Sequence, residues 1–254
     1  MSSENQNGSL QTTFQNAIAT VQFGHPASNS FPRELLNRLT AEINSLSQNE
    51  KISVIILKSE GSKVFCSGAS FDELLQVENE EQGTEFFSGF AHLLNAMRNC
   101  SKIIIGRVQG KAVGGGVGII SACDYAFATP ESAIKLSELA IGIGPFVIEP
   151  AVSRKIGKTA MTEMALAAQD WKPANWAFER GLYSEIHIAE ELDTAVENFA
   201  QKLSSYNPEA LFEMKKIIWE GTDHWESLLI ERAAITGKLV LSDFTKNALT
   251  QFKK

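Results

Sequence analysis

No apolar run in this sequence approaches the roughly 20 residues that a helix needs to cross a bilayer, so the chain is expected to lie off the membrane. Cysteine is scarce. Cys66, Cys100 and Cys123 are an odd three with no C-x-x-C spacing, which argues against a disulfide framework or a thiolate zinc site and leaves buried thiols as the plain reading. Basic charge is in deficit as well: 23 Lys and Arg stand against 30 Asp and Glu, a formal charge of −7. That balance is the wrong sign for neutralising nucleic-acid phosphates or anionic lipid. Histidine is nearly absent. His25, His92, His187 and His224 share no metal-ligand spacing, so no metal is expected. The start, "MSSENQNGSLQTTF", has no positive segment followed by an apolar one; no secretory leader is expected, and the chain is read as cytoplasmic.

What the sequence does hold is enough apolar material, 44% of 254 residues, to bury a sizeable core. Residues 17–23, "AIATVQF", carry the branched apolar residues of a strand, and "GHPASNS" breaks it. Leu35, Leu36, Leu39, Ile43 and Leu46 recur at helical spacing behind Pro32, which predicts an amphipathic helix over residues 31–46. "ISVIILKS" and "KIIIGRVQG" are short β-branched runs of the kind covered on both faces. Between them "EGSKVFCSGAS" reads as a glycine-punctuated loop, and a second helix carries Phe86, Phe87, Phe90, Leu93, Leu94 and Met97. "DYAFATP" reads as a strand, and "AIKLSELAIGIGP" as a strand and loop. Strands thus alternate with helices over the first 150 residues or so, an α/β core, whereas from Ala151 onward the patterns are helical.

The stretch "GKAVGGGVGII", residues 110–120, sets five glycines among small apolar residues and asks what needs so bare a backbone. Phosphate binding fails the test of spacing. G-x-G-x-x-G begun at Gly114, Gly116 or Gly142 ends on Ile119, Ser121 or Val147, and the "GKT" at residues 157–159 would need a glycine where Val152 stands. Two readings remain. Glycines permit a helix to pack closely on a sheet; equally, bare N–H groups at a helix N-terminus can hold a developing oxyanion.

Three segments weigh on that choice: "VFCSGASFDEL" (64–74), "GKAVGGGVGIISACDYAFA" (110–128) and "IKLSELAIGIGP" (134–145). In order and spacing they resemble the signature segments of the crotonase family, also called the enoyl-CoA hydratase/isomerase family, and the resemblance runs over nearly the whole chain. It implies an α/β fold with a crotonase-like spiral core of ββα units and a C-terminal helical region. The division expected is a flexible N-terminus over 1–9, the spiral core over 10–195 and a helical trimerisation region over 196–254. The implied partner is an acyl-CoA thioester, with coenzyme A as part of the substrate and no permanently bound cofactor, in a homotrimer or a hexamer built as a dimer of trimers. By the same resemblance the backbone N–H groups of Ala69 and Gly115 stabilise the thioester enolate. Two fixed donors act on charge that appears only as a proton leaves carbon, a contribution of about 3 kcal/mol each to the barrier.

Family hydratases generally use two glutamates. One matches Glu138 in "LSEL"; the other position is Gly118, which has no side chain to activate water. A single carboxylate can take a proton from one carbon and return it to another, the chemistry of a double-bond isomerase, so Glu138 is the catalytic residue of choice. Hydration stays open if Glu138 both positions water and delivers a proton. Glu149, in "GPFVIEP", is either a charge at a helix start or a substitute second acid. Phe146 stands where dienoyl-CoA isomerases have aspartate, which disfavours that subclass. "HPASNSF" matches the family segment that contacts CoA, giving Pro26, Ala27 and Asn29 as candidates; Ser67, Phe71, Phe252 and Lys254 join them. Phe86, Phe87 and Phe90 are core or acyl-pocket residues, and Trp219 and Trp225 packing or interface residues. Alternatives within the class are hydration of methylglutaconyl-CoA and decarboxylation of a CoA thioester; outside it stands a non-catalytic acyl-CoA binder.

Overall fold

The computed structural model describes residues 7–252. Strand β1 (Ser9–Gln15) pairs antiparallel with β2 (Ile18–Gly24), and α1 (Arg33–Gln48) follows. From there one step repeats: a longer strand, a very short strand, then helix. The first turn is β3 (Val54–Ser59), β4 (Val64–Cys66), α2 (Phe71–Leu74) and α3 (Glu80–Asn99). The second is β5 (Ile103–Val108), β6 (Lys111–Val113) and α4 (Gly115–Ala122). The third is β7 (Tyr125–Ala128), β8 (Ile134–Lys135), a 3-10 turn (Glu138–Ile141) and α5 (Glu149–Leu166). Then come α6 (Ala174–Glu179), β9 (Glu185–Ile186), α7 (Ala189–Ser204), α8 (Pro208–Ile218), α9 (Trp225–Leu239) and α10 (Asp243–Phe252). The longer strands form one sheet in the order β1-β2-β3-β5-β7-β9, and the short ones a second sheet, β4-β6-β8. Every pairing after β1-β2 is parallel, as strands joined through helical crossovers must be.

The branched apolar runs in β3 and β5 follow from burial on both faces. One face meets the main core with α1 and α3; on the other, Leu192, Val196 and Ala200 of α7 pack on Ile18, Val54, Ile56, Ile103, Ile105 and Phe127. That contact bears on the division expected between residues 195 and 196. A division between residues 195 and 196 would cut through α7, which is welded to the sheet, and Ser9 already begins β1; residues 1–6 lie outside the described residues. Strand β1 went unread because only Leu10 and Phe14 of its seven residues are apolar. β4 lies inside the segment read as loop, three residues being too few to show a period of two.

Two features tie the later helices to the core. Asp124, just before β7, is buried and accepts hydrogen bonds from Lys215 Nζ (2.6 Å), Trp219 Nε1 (2.8 Å) and the Ile104 N–H (2.7 Å), which fixes α8. Helix α9 crosses α3 where glycine meets glycine: a Cβ on Gly83 would lie 2.6 Å from the Gly237 carbonyl oxygen. That close approach carries the neighbouring Thr236 to the cavity described below.

Candidate active site

The three short parallel strands end side by side, and the chain just beyond each end supplies one piece of the site. After β4 come Ser67, Gly68 and Ala69; after β6, Gly114 and Gly115; after β8, Leu136, Ser137 and Glu138. The carboxyl ends of parallel strands are where α/β sheets gather ligands. Because β6 is central, its glycines lie between the other two pieces. A Cβ on Gly68 would stand 3.5 Å from the Gly115 nitrogen, and one on Gly114 only 2.7 Å from Glu138 Oε1. Both positions also demand glycine conformationally, with φ of +88° at Gly68 and +53° at Gly114.

Local hydrogen bonding aims two N–H groups at the same space. Ala69 forms a parallel bridge with Phe31, in which the Phe31 N–H donates to the Gly68 carbonyl (2.8 Å) and the Ser70 N–H to the Phe31 carbonyl (3.0 Å). In such a bridge the N–H of Ala69 itself points the opposite way. Gly115 is the first residue of α4, where N–H groups have no intrahelical acceptor. Neither N–H donates to a protein acceptor among the described residues. The partial positive charge of the helix start adds to both.

Glu138 opens the 3-10 turn, whose far end, Gly142, is packed by Phe244 and Thr245 of α10. The residue is only partly buried, yet its Oε2 is buried with no hydrogen-bond partner. Burial pushes the carboxyl up from 4.5 to about 7, against a weaker downward pull from the residue's own backbone N–H. A buried carboxylate oxygen without a donor is rare enough to require a reason. Around it the cavity is apolar: Leu74, Phe87, Phe90, Ile143, Val147 and Ile148 line it, and among the described residues hydroxyls come only from Ser67, Ser137 and Thr236, with no Lys, Arg or His. The Phe90 ring lies against Gly115, where a Cβ would come within 2.6 Å of Cζ.

Ala69, Gly115 and Glu138 are thus brought together, with Ser67 and Phe71 on the same cavity wall. Asn29 is a pin in the turn at residues 25–30: its Oδ1 accepts from the His25 N–H (3.1 Å), and its amide donates to the carbonyls of Glu60 (2.8 Å) and Val64 (2.9 Å). Pro26 and Ala27 are exposed, and the Ala27 carbonyl accepts from Ser67 Oγ (3.2 Å), so this turn borders the cavity without lining it. Phe252 ends α10, its side chain outside what is described, and Lys254 lies outside the described residues. Glu149, the candidate second acid, is turned away from the cavity. Its carboxylate accepts from Arg232, Ser153 and Lys158 (2.7 Å), and although burial pushes its pKa upward, these three partners together hold it down to about 2. Phe86 belongs to the core while Phe87 and Phe90 do line the cavity; Trp219 and Trp225 pack edge to face in the core.

Among the cavity residues, Thr236 and Ile148 carried no signal in the sequence. Thr236 arrives from α9, and Ile148 closes over Gly118; each depends on a contact between segments far apart in the chain.

Comparison with known proteins agrees with this geometry. A model of the family described as enoyl-CoA hydratase/isomerase matches residues 13–251. The chain is 27% identical over 239 residues to a short-chain-enoyl-CoA hydratase of Clostridium acetobutylicum, covering 92% of this chain and 90% of that one. It is 27% identical over 192 residues to a peroxisomal Delta(3,5)-Delta(2,4)-dienoyl-CoA isomerase of Arabidopsis thaliana, 69% of this chain and 67% of the other. In fold it is similar to the crystal structure of an enoyl-CoA hydratase from Bacillus halodurans, with a TM-score of 0.87 at 22% identity over 95% of this chain and 99% of that one.

Proposed function

The chain belongs to the enoyl-CoA hydratase/isomerase family, and from that premise we propose that it is an enoyl-CoA isomerase that moves a double bond from C3 to C2 with Glu138 alone as proton carrier. The observation that carries this reading is the buried Glu138 Oε2, which has no partner among the described residues and belongs to a carboxylate packed against Gly114, the residue before the free Gly115 N–H, in the cavity that Ala69 also lines. In the proposed reaction the thioester oxygen of a 3-enoyl-CoA accepts from the Ala69 and Gly115 N–H groups. Glu138 takes a proton from C2, and the electron pair of the broken C–H bond moves into the carbonyl to give a dienolate. The charge on oxygen is held by the two donors. Glu138 then returns the proton to C4 as the electrons fall back from oxygen, leaving the double bond between C2 and C3. A carboxyl with a pKa of about 7 suits both steps, because base and acid forms are then present at neutral pH.

The lining supports a neutral, apolar acyl group. Methylglutaconyl-CoA, or a substrate for decarboxylation, carries a free carboxylate, and among the described residues no basic side chain lines the cavity to receive it. Ser67 and Phe71 at the wall, with the turn that holds Pro26 and Ala27 beside them, are proposed to carry the CoA moiety, and no resident cofactor is needed. A homotrimer or a dimer of trimers is proposed as well, supported by apolar side chains that α8 leaves exposed, Met214 and Ile217 among them.

The test is incubation with 2-enoyl- and 3-enoyl-CoA thioesters of several chain lengths, read by absorbance and mass. Conjugation of the 3-enoyl thioester without change of mass, lost in Glu138→Gln, is the expected result. A mass gain of water as the main reaction would replace isomerase by hydratase. No change in any thioester that nonetheless binds would make the protein an acyl-CoA binder.

A further inference from the structure

Gly118 stands in the second turn of α4, where glycine is a poor helix former, and the helix is nevertheless fully packed there. What packs it is Ile148, the residue that caps the start of α5. A Cβ built on Gly118 would lie 2.8 Å from Ile148 Cβ and closer still to its Cγ2. Ile148 is 4% exposed and forms part of the cavity wall. Position 118 is three residues beyond Gly115, hence on the same helix face, and helical side chains lean toward the N-terminus. Any side chain at 118 would therefore reach toward the oxyanion donors. The volume it would use is filled from the opposite side, by a branched side chain rising from the loop.

Resting on the isomerase reading, we propose that Ile148 determines the outcome of the reaction: its side chain occupies the place from which a carboxylate at position 118 would present water to the substrate, and so confines the site to proton transfer within the acyl chain. In the route that a carboxylate at position 118 would serve, adding water to a 2-enoyl-CoA uses two proton carriers. The water oxygen bonds to C3 as one of its protons passes to a base, the C2–C3 π electrons move to the thioester oxygen, and C2 then takes a proton from an acid. Glu138 can serve as the second of these. The first has neither a residue nor room. Enlarging residue 118 while shrinking residue 148 supplies both, and neither change alone does.

The test uses Gly118→Glu, Ile148→Gly and the double variant of the full chain, each assayed for melting temperature, for water addition to 2-enoyl-CoA and for isomerisation of 3-enoyl-CoA. Gly118→Glu alone is expected to melt several degrees lower and to add no water. The double variant should recover most of the melting temperature and add water at least about 100-fold faster than the wild type, the scale of a positioned general base. A double variant that folds and isomerises but hydrates no faster than the wild type overturns the proposal. So does a Gly118→Glu single variant that is as stable and as active in hydration as the double. If the double variant does not fold, Gly118→Ala in the wild-type and Ile148→Ala backgrounds decides through melting alone. Alanine at 118 should lower the melting temperature beside isoleucine and spare or raise it beside alanine; equal shifts in both backgrounds overturn the assignment. Failure of the isomerase reading is seen separately, as a wild type that leaves 3-enoyl-CoA unchanged.

Discussion

Glu138 and Glu149 flank one short stretch of chain and end in opposite states. Glu138 starts the 3-10 turn at the end of the small sheet, its Oε2 buried and unpartnered, and its carboxyl is raised to about 7. Glu149 starts α5, is gripped by Arg232, Ser153 and Lys158, and is held at about 2. Burial acts on both in the same direction; the partners make the difference. At Glu149 three donors outweigh desolvation and fix a permanent charge that ties α5 to α9. At Glu138 they are withheld, and the surrounding backbone is stripped of side chains so that free N–H groups face the same space. The saturated carboxylate holds helices together, while the unsaturated one is left facing the cavity.

The contrast breaks most sharply at Glu138 itself. Glu138→Gln keeps the shape and removes the proposed proton carrier, so turnover should fall by about 10²–10⁴-fold with CoA-thioester binding retained. Initial rates and a binding titration on the same protein check this, and full turnover in the variant would falsify the catalytic assignment. Next in size is Gly114→Ala. The methyl group would meet Glu138 Oε1 at 2.7 Å and force an alanine into a conformation with φ near +53°. A displaced carboxylate and a tilted Gly115 N–H should lower kcat by roughly 100-fold, the loss typical of one misplaced oxyanion donor, with a smaller change in KM.

How much of this was legible in the sequence follows the range over which each signal acts. Helix α1 and strands β3 and β5 are written in local periodicity and in unbroken apolar runs, because each buries its own residues against the core. The spiral is not written that way. β4, β6 and β8 are two or three residues long, and their pairing is visible only when the chain has wound three times. Ala69, Gly115 and Glu138 were singled out by their motifs, since bare backbone and a loop carboxylate leave a trace in residue types, and the structure sets all three on one cavity. The grip on Glu149 left none, because Arg232 arrives from α9 and looks in sequence like any exposed helical arginine. Nor could the closure of Ile148 over Gly118 be read, as a missing side chain does not say what fills its place.

Smaller in effect is removal of the saturated carboxylate. Glu149→Ala leaves Arg232, which also donates to the Phe146 carbonyl (3.2 Å), without its charge partner at a site about three-quarters buried. A loss of about 1–3 kcal/mol in unfolding free energy is expected, with turnover reduced far less than in Glu138→Gln. Denaturant melts paired with rates measure both; a collapse of kcat with stability intact would give Glu149 back a part in the chemistry.

Smallest, and most specific, is the dependence of stability on pH, where the two glutamates must act with opposite sign. With its carboxyl raised to about 7, Glu138 keeps a proton in the folded protein after the unfolded chain has released it near 4.5. The folded state is therefore favoured most below 4.5 and loses stability as pH rises through that window, by at most about 1.4 kcal/mol per pH unit. Glu149, lowered to about 2, contributes stability that is complete above 4.5 and drains away as pH falls toward 2. Denaturant midpoints of the wild type and Glu138→Gln should consequently diverge in favour of the variant as pH rises from about 5 to 7, while the deficit of Glu149→Gln shrinks as pH falls below about 4. The same titration sets the acid limb of the reaction. If Glu138 acts first as a base, kcat/KM rises with pH through about 7, whereas a site that needs it protonated first shows the limb reversed. A stability difference for Glu138→Gln that stays flat across the window would mean that this carboxyl titrates as it does in water, and the distinction between a saturated and an unsaturated glutamate would reduce to one of packing.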